Sequence, residues 1–299
     1  MADSNPAAQT DADAKATPER RRSAIVDAVL KDGTLRIEGL ADSLGVSAAA
    51  IYRDVQILED SGLLTLSKGE LRPRASSTAE LPPRMRRIRS RIEKGALAQA
   101  AARLVSAGNA VIIDDSSTAL PMVPELAKVN PLTVITNSMP VARSLAASKN
   151  TELVLIGGRY YPWAEAFYGS LGTGFVKNLR ADLCFMSDAA VWYDGVYNPT
   201  DYVTDMKRTM LEQSFHRVLM IDNSKFARRA WQKTTSLTTF ETILVDDGAT
   251  EQQLDMLAAS GAEVTVVTVR RGPGSWPMQA LAHRLIHVPT RGGATWTSR

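Results

Sequence analysis

Between residues 110 and 267 short apolar runs alternate with helix-like stretches, and this alternation limits the fold more than any other feature of the chain. The runs read AVIID, LTVIT, TELVLIGG, LCFM, HRVLMID, TILVD and EVTVV. Each is short and apolar nearly throughout, as in strands buried on both faces. Helical patterns follow near Leu120 to Ala127, from Pro140 to Ala147, from about Val203 to Gln213 and near Gln252 to Ala259. The third run leads instead into a less regular aromatic segment, and the fifth into a basic turn. Strands joined by helices lie parallel, so this part of the chain is predicted to be α/β, with a mainly parallel sheet covered on both faces.

In such a sheet, ligands collect outside the carboxyl ends of the strands, where loops and helix starts present free N–H groups. Here those ends read Asp114-Asp115-Ser116-Ser117-Thr118, Thr136-Asn137-Ser138, Gly157-Gly158-Arg159, Ser187-Asp188 and Asp222-Asn223-Ser224-Lys225. Hydroxyls and backbone amides suit a phosphate, Lys225 adds charge, and Asp and Asn bond sugar hydroxyls. One such loop is ordinary turn chemistry. The repetition is what points to a ligand.

Upstream, residues 35 to 66 read LRIEGLADSLGVSAAAIYRDVQILEDSGLLTL. Leu40 and Leu44, then Ile51, Val55 and Leu58, fall at helical spacing on either side of Gly45-Val46-Ser47. Glycine suits a helix end and serine a helix start, which gives a helix-turn-helix. With Ile51, Val55 and Leu58 inward, the second helix, Ser47 to Asp60, presents Ala48, Ala49, Tyr52, Arg53 and Gln56. Small residues allow close approach to a DNA major groove, Arg53 and Gln56 have donors for guanine and adenine edges, and Tyr52 suits a phosphate or sugar. LLTLSKGELRP reads as a hairpin wing that lays Lys68 and Arg72 along the backbone. Charge does not decide the matter, since residues 19 to 74 hold nine Lys/Arg and nine Asp/Glu.

These residues carry a resemblance. Residues 19 to 74 resemble the N-terminal domain of the DeoR family of bacterial transcription regulators, whose pattern "eLa..lgvS..TIrRDl..Le..G.l" is matched at Leu40, Ala41, Leu44, Val46, Ser47, Ile51, Arg53, Asp54, Leu58, Glu59 and Gly62. It is departed from at Ala50 and Tyr52. TNSMPVA at 136 to 142 and DNSKF at 222 to 226 extend the resemblance to about residue 267, across that family's sugar-phosphate-sensing domain. The resemblance implies a winged helix-turn-helix followed by a sensor domain similar in fold to ribose-5-phosphate isomerase. The outward face of the second helix and the wing give the candidate DNA contacts as Ser47, Ala48, Ala49, Tyr52, Arg53, Gln56 and Lys68. The resemblance implies effector contacts from Asp114, Ser117, Thr118, Asn137, Gly157, Gly158, Lys207 and Lys225. Ser116 and Asp188 join these candidates from loops that depart from the pattern: Ser116 replaces a glycine, and SDAAV at 187 to 191 replaces "GvDGi". A side chain at Ser116 narrows the loop, so the effector need not be a typical phosphorylated hexose.

The implied function is a repressor in a homo-oligomer, a dimer or tetramer, that binds a double-stranded DNA operator and a sugar or sugar phosphate, with no cofactor or metal. The rival is an isomerase-like enzyme, which needs a carboxylate as base. Its acid falls at or near Ala189, one place from Asp188. His216, His283 and His287 show no metal or triad spacing.

The boundaries expected are a disordered tail over 1–17, the winged helix-turn-helix over 18–74, a linker over 75–83, the sensor over 84–269 and a tail over 270–299, where MQALAHRLIHV adds at most one short element. Arg20, Arg21 and Arg22 read equally as a solvated helix end or as phosphate contacts. The run Arg84, Arg86, Arg87, Arg89, Arg91 and Lys94 reads first as a solvated face, then as a DNA-backbone contact. Tyr160, Tyr161, Trp163, Phe167, Tyr168, Trp192, Tyr193 and Tyr197 fit a pocket or a subunit interface equally. Cys184, the one cysteine, sits in an apolar run and reads as core in a reducing cytoplasm. No apolar segment nears the ~20 residues of a membrane helix.

Overall fold

The computed structural model describes residues 18–32, 34–60, 64–73, 80 and 83–270. The expected tails over 1–17 and 271–299, most of the linker, and Ser61-Gly62 lie outside the described residues. The first unit runs α1 (Pro18–Asp32), β1 (Leu35–Arg36), α2 (Ile37–Leu44), α3 (Ala48–Asp60), β2 (Leu64–Ser67) and β3 (Glu70–Pro73). Gly45 ends α2 at φ 62°, ψ 33°, a left-handed conformation that glycine adopts without a Cβ clash. Ser47 Oγ accepts the Ala50 N–H at 3.3 Å, so the serine caps α3 as its position predicts.

Ile51, Val55 and Leu58 are at most 1% exposed, packed with Ile25, Val29, Ile37, Leu40, Leu64 and Leu71. Each such side chain contributes roughly 1.5–3 kcal/mol of burial. That fixes the rotation of α3 and leaves its opposite face outward. Lys68 and Gly69 turn the wing at φ 52° and 76°, two successive positive values that match the twist of a tight hairpin. Leu66 N–H donates to Glu59 at 2.7 Å and ties the wing to α3. The two-residue strand β1, which the sequence pattern does not reveal, adds a third strand beside β3.

The second unit starts with α4 (Pro83–Ile88) and α5 (Arg91–Ala102), then β4 (Ala110–Ile113), α6 (Val123–Leu126), β5 (Leu132–Thr136), α7 (Met139–Leu145) and β6 (Thr151–Leu155). It continues through β7 (Arg159–Tyr161), β8 (Ala166–Tyr168), α8 (Ser170–Val176), β9 (Ala181–Met186), β10 (Ala190–Trp192), β11 (Gly195–Asn198) and α9 (Asp201–Glu212). It closes with β12 (Ser214–Ile221), β13 (Gln232–Ser236), β14 (Thr242–Asp246), α10 (Glu251–Ala258) and β15 (Glu263–Val267).

Seven strands form the parallel sheet, in the order β15-β14-β12-β9-β4-β5-β6. Alternate residues feed two cores. Ile112, Cys184, Met186, Leu219 and Ile243 pack with Met206 and Met210 of α9 and Leu257 of α10. On the other face Val111, Ile113, Phe185, Val218 and Leu244 pack with Leu97 and Ala101 of α5 and Val141 of α7. Burial on both faces explains why the strands read as continuous apolar runs.

Local expectations needed correction. The helix expected near Leu120 to Ala127 is a 3-10 turn, Leu120–Met122, and one α-turn. Pro121 and Pro124 remove the N–H groups that a longer helix needs. The aromatic segment after β6 is the hairpin β7–β8. The basic helix beyond Pro83 is two helices, broken at Ser90, which sits at φ 51°. A small antiparallel sheet, β10-β11-β13, lies beside the main one and was not foreseen.

Candidate functional site

On the outer face of α3, Ala48, Ala49, Tyr52, Arg53 and Gln56 are exposed, with Ser47 at its start and Lys68 at the wing tip. Arg53 Nε touches its own helix at the Ala49 carbonyl, 3.3 Å away, and Gln56 donates to Asp60 at 3.0 Å. Both contacts are exposed and leave further donors on each side chain. Neither reading of the first helix's arginines held for Arg21 and Arg22. They bond the buried Asp54 at 2.5 and 3.2 Å and brace α1 against the inner side of α3. Sequence reasoning matched Asp54 to a pattern without finding its role. The Arg20 side chain lies outside the described residues.

The second cluster follows from strand order. β4, β5 and β6 run one way across the sheet and β9, β12, β14 and β15 the other, so the direction switches between β4 and β9. There the connections leave on opposite sides and open a crevice at the strand ends. Asp114, directly after β4, is fully buried and spans it. Its carboxylate accepts the Ser116 N–H at 2.9 Å, the Ser187 N–H at 3.2 Å and the ammonium of Lys207 on α9. Lys207 also donates to the Ser187 carbonyl at 2.7 Å. Burial works against the Lys207 charge, but Asp114, Asp115 and Asp188 outweigh it and raise its pKa.

A cavity of about 10 Å³ remains, lined by Glu80, Arg86, Asp115, Ser116, Ser117, Ser187, Asp188, Asn198, Val203, Lys207 and Lys225. Asp188 Oδ1 accepts from Asn198 at 2.7 Å and from the Ala189 N–H at 2.9 Å. Burial pushes its carboxyl up to about 6, with Lys207 and Asn198 offsetting part of the effect. Lys225 is pushed down to about 8, chiefly by burial and then by Arg228, while Asp222 and Glu80 oppose. Lys94, pushed down to about 7 mainly by burial, donates to the Arg86 carbonyl at 2.5 Å and to Ser117 Oγ at 3.0 Å. Thr118 Oγ1, Ser187 Oγ and Arg86 Nε are buried without a hydrogen-bond partner. Such groups cost about 1–3 kcal/mol each when left unpaired. A polar ligand would satisfy groups of this kind.

Of the predicted effector contacts, Ser116, Ser117, Asp188, Lys207 and Lys225 line the cavity, and Asp114 holds Lys207 from behind. Thr118 and Asn137 are fully buried nearby but are not among its walls. Asn137 Nδ2 instead donates to the Phe167 carbonyl at 3.1 Å. Gly157 and Gly158 are exposed and stand away from the cavity. A Cβ at Gly158 would meet the Tyr168 carbonyl oxygen at 2.6 Å, so that glycine serves the close approach of the β7–β8 hairpin.

The basic run after Pro83 corrects an expectation, because part of it turns inward. Arg86 bonds Glu80 at 3.3 Å with 6% of its side chain exposed, Lys94 is buried, and Arg87 pairs with Glu165. Asn198, Asp115, Ser187, Val203, Glu80 and Arg86 were missed as lining residues. Asp115 and Ser187, inside loops already singled out, carried a signal in the sequence. Nor do the aromatic residues line the cavity. Tyr161 stacks on Tyr202 at 4.4 Å and Trp163 donates to its hydroxyl at 3.1 Å, whereas Trp192 and Tyr193 are exposed. Cys184 is buried in β9, where burial raises its pKa. Among the described residues no His, Cys, Asp or Glu cluster is placed to hold a metal ion, and no helix is long and apolar enough to cross a membrane.

Residues 21–72 match the family model described as the DeoR-like helix-turn-helix domain, and residues 89–269 match the DeoR C terminal sensor domain. Similar proteins include the HTH-type transcriptional regulator GolR of Listeria innocua, 31% identical over 227 residues, which cover 76% of this chain and 88% of that protein. The lactose phosphotransferase system repressor of Lactococcus lactis is 29% identical over 79% of this chain and 94% of its own. A putative aga operon transcriptional repressor of Escherichia coli O157:H7 is 27% identical over 83% and 93%. Among solved structures, ribose 5-phosphate isomerase A from Methanocaldococcus jannaschii aligns with 46% of this chain and 55% of that one, at 15% identity and a TM-score of 0.34.

Proposed function

The chain belongs to the DeoR family of transcriptional regulators, and on that premise we propose that it is a cytoplasmic repressor of carbohydrate-metabolism genes, released from its operator by a sugar or sugar phosphate. The reading takes residues 18–74 as the DNA-binding domain, 75–83 as the linker and 84–269 as the sensor. The observation that carries it is the crevice between β4 and β9, where buried lysines meet Ser187 Oγ, a buried hydroxyl that has no partner. Cations suit a phosphate or carboxylate and free hydroxyls suit a polyhydroxylated chain. Two relatives, one named as the lactose phosphotransferase system repressor and one as a putative aga operon transcriptional repressor, support the carbohydrate reading.

At the other end, the exposed face of α3 enters the major groove, with Ser47, Ala48 and Ala49 against the backbone or base edges. Arg53 and Gln56 read bases, and Tyr52 and Lys68 hold phosphates. A dimer or tetramer places two such helices on half-sites about one helical turn apart. Fluorescence anisotropy on DNA from immediately upstream of the protein's own gene tests this, at two salt concentrations, with and without a panel of sugars and sugar phosphates. Salt-sensitive binding above that to scrambled DNA, relieved by one compound, is expected. Binding that does not distinguish the two DNAs sinks the proposal.

One observation favours the enzyme reading enough to test it. Asp188 is a cavity carboxyl pushed up to about 6, in the range a proton-transfer base requires. Consumption of a sugar phosphate by the purified protein, lost in Asp188→Asn, would replace sensing with turnover.

A further inference from the structure

Glu80 has no role in the function just described, yet its side chain is only 8% exposed. It lies seven residues after Pro73, the end of the wing, and three before Pro83, the start of α4, in the segment that connects the reading head to the sensor. A glutamate in a connecting segment ordinarily faces water, because burying a carboxylate costs several kcal/mol unless it is paired. This one is paired inside the cavity. Its Oε1 meets Arg86 Nη1 at 3.3 Å, and it shares the walls with Lys207 and Lys225. Burial alone would raise its carboxyl, but Arg86, Lys225, Lys207 and Arg228 together hold it below its ordinary value. Glu80 is thus an anion in the cationic part of the crevice.

Space gives an independent argument. The cavity left beside Glu80 is about 10 Å³, at the lower limit for one water molecule. Sites for small organic ligands are roughly 300–1,000 Å³. Lys207 cannot make the room, because its ammonium is bound to Asp114 and to the Ser187 carbonyl. Arg86 keeps Nε free of any hydrogen bond, so its bond to Glu80 uses only part of the guanidinium. A ligand with two anionic oxygens would engage more of that fork than Glu80 does.

We propose that the Glu80 carboxylate is a resident stand-in for the effector's anionic group, and that a phosphate or carboxylate on a polyhydroxylated chain binds Arg86 and Lys225 by displacing it. The inference rests on the sensor reading. It adds that occupancy of the crevice is transmitted through the chain segment that carries Glu80, since the residue expelled lies between the two domains. Competition of this kind lowers the apparent affinity for the effector by the fraction of molecules in which Glu80 is out. Removing the internal anion therefore tightens anion binding.

The experiment titrates the full-length wild type, Glu80→Gln and Glu80→Gln/Arg86→Gln with inorganic phosphate and, separately, with gluconate, by isothermal calorimetry. Phosphate and gluconate distinguish the two sources of the anion. Glu80→Gln is expected to bind one of them about tenfold tighter than wild type, a coupling within the usual range, and the double variant is expected to lose the gain. In parallel, hydrogen exchange of the wild-type peptide that contains Glu80 is expected to rise when the anion binds, a readout that does not depend on the variants folding. Equal affinity in wild type and Glu80→Gln, or exchange that falls or stays level, overturns displacement while leaving the sensor intact. No anion binding in any of the three, with DNA affinity indifferent to every compound in the panel, overturns the sensor reading itself.

Discussion

Lys207 and Lys225 both line the crevice, yet they answer to different physics. The Lys207 ammonium and the Asp114 carboxylate are 4% and 1% exposed and bonded to one another. Replacing Lys207 with methionine leaves Asp114 buried without its counter-charge, so a loss of about 3–5 kcal/mol in stability is expected, as when a buried pair is broken. Urea unfolding measures it, and a loss under 1 kcal/mol would refute the pairing. Lys225 is held down to about 8 by burial and by Arg228, which means its charge already sits uneasily in the folded protein. Lys225→Met should therefore cost less stability than Lys207→Met, the loss coming mainly from Asp222, whose carboxyl Lys225 helps hold down to about 2, while weakening anion binding. Asp188 gives a pH signature. Its folded carboxyl keeps a proton up to about 6, whereas an unfolded aspartate loses it near pH 4. Between those values the native state binds more protons, so this group makes stability fall as pH rises through the window and leaves it level above. Asp188→Asn should remove that fall, on the order of 2–3 kcal/mol by pH 7. Thermal unfolding of both proteins from pH 4 to 7 checks it. Parallel curves would mean that Asp188 ionises normally.

At the scale of single elements, α3 is where sequence and structure agree most closely. Its inward side is set by burial of Ile51, Val55 and Leu58, so the outward side follows without further information. Arg53→Ala removes one exposed guanidinium and no core contact. It should weaken specific DNA binding by about 1–3 kcal/mol, roughly 5- to 150-fold, and leave the unfolding midpoint within error. Anisotropy beside a urea melt separates the two effects, and an unchanged affinity would move the reading surface elsewhere. The strands were legible for the same reason as α3, since burial on both faces leaves an apolar run that needs no partner to be recognised. The crevice was half legible. Asp114, Ser116, Ser117, Asp188, Lys207 and Lys225 stand at strand ends or in a recognisable motif. Arg86 was hidden because a run of basic residues looks the same whether it faces water or turns inward, and Ser90, where the helix breaks, carries no sign of its positive φ. Asn198 and Glu80 were hidden because neither follows a strand of the parallel sheet, where ligand loops are expected, and neither belongs to a recognisable motif. Gly157 and Gly158 looked like a ligand loop, but backbone clearance for a hairpin selects the same residue type.

Across the whole molecule, two sites must exchange free energy through whatever joins them, and that exchange has to be reciprocal. If an anion in the crevice weakens operator binding by some factor, operator binding weakens the anion by the same factor. A factor of 5 to 150, about 1–3 kcal/mol, is the usual size of such coupling, and a ligand with equal affinity for the two states would shift nothing however tightly it bound. With Glu80 in the crevice, its carboxylate is anchored through Arg86 to the sensor's cationic wall. With Glu80 expelled, that anchor is gone. If the anchored arrangement is the one that fits two half-sites, Glu80→Gln should behave as a partly induced protein even without ligand. Its operator affinity should fall toward that of the ligand-bound wild type, and the further effect of ligand should shrink by the same amount. Anion affinity titrated with and without operator DNA, beside operator affinity titrated with and without anion, closes a thermodynamic cycle for each protein. Wild type should give one coupling factor from both directions, and Glu80→Gln a smaller one. Equal coupling in the two proteins would show that the signal reaches α3 by another route, through the packing of the domains rather than through the segment that carries Glu80.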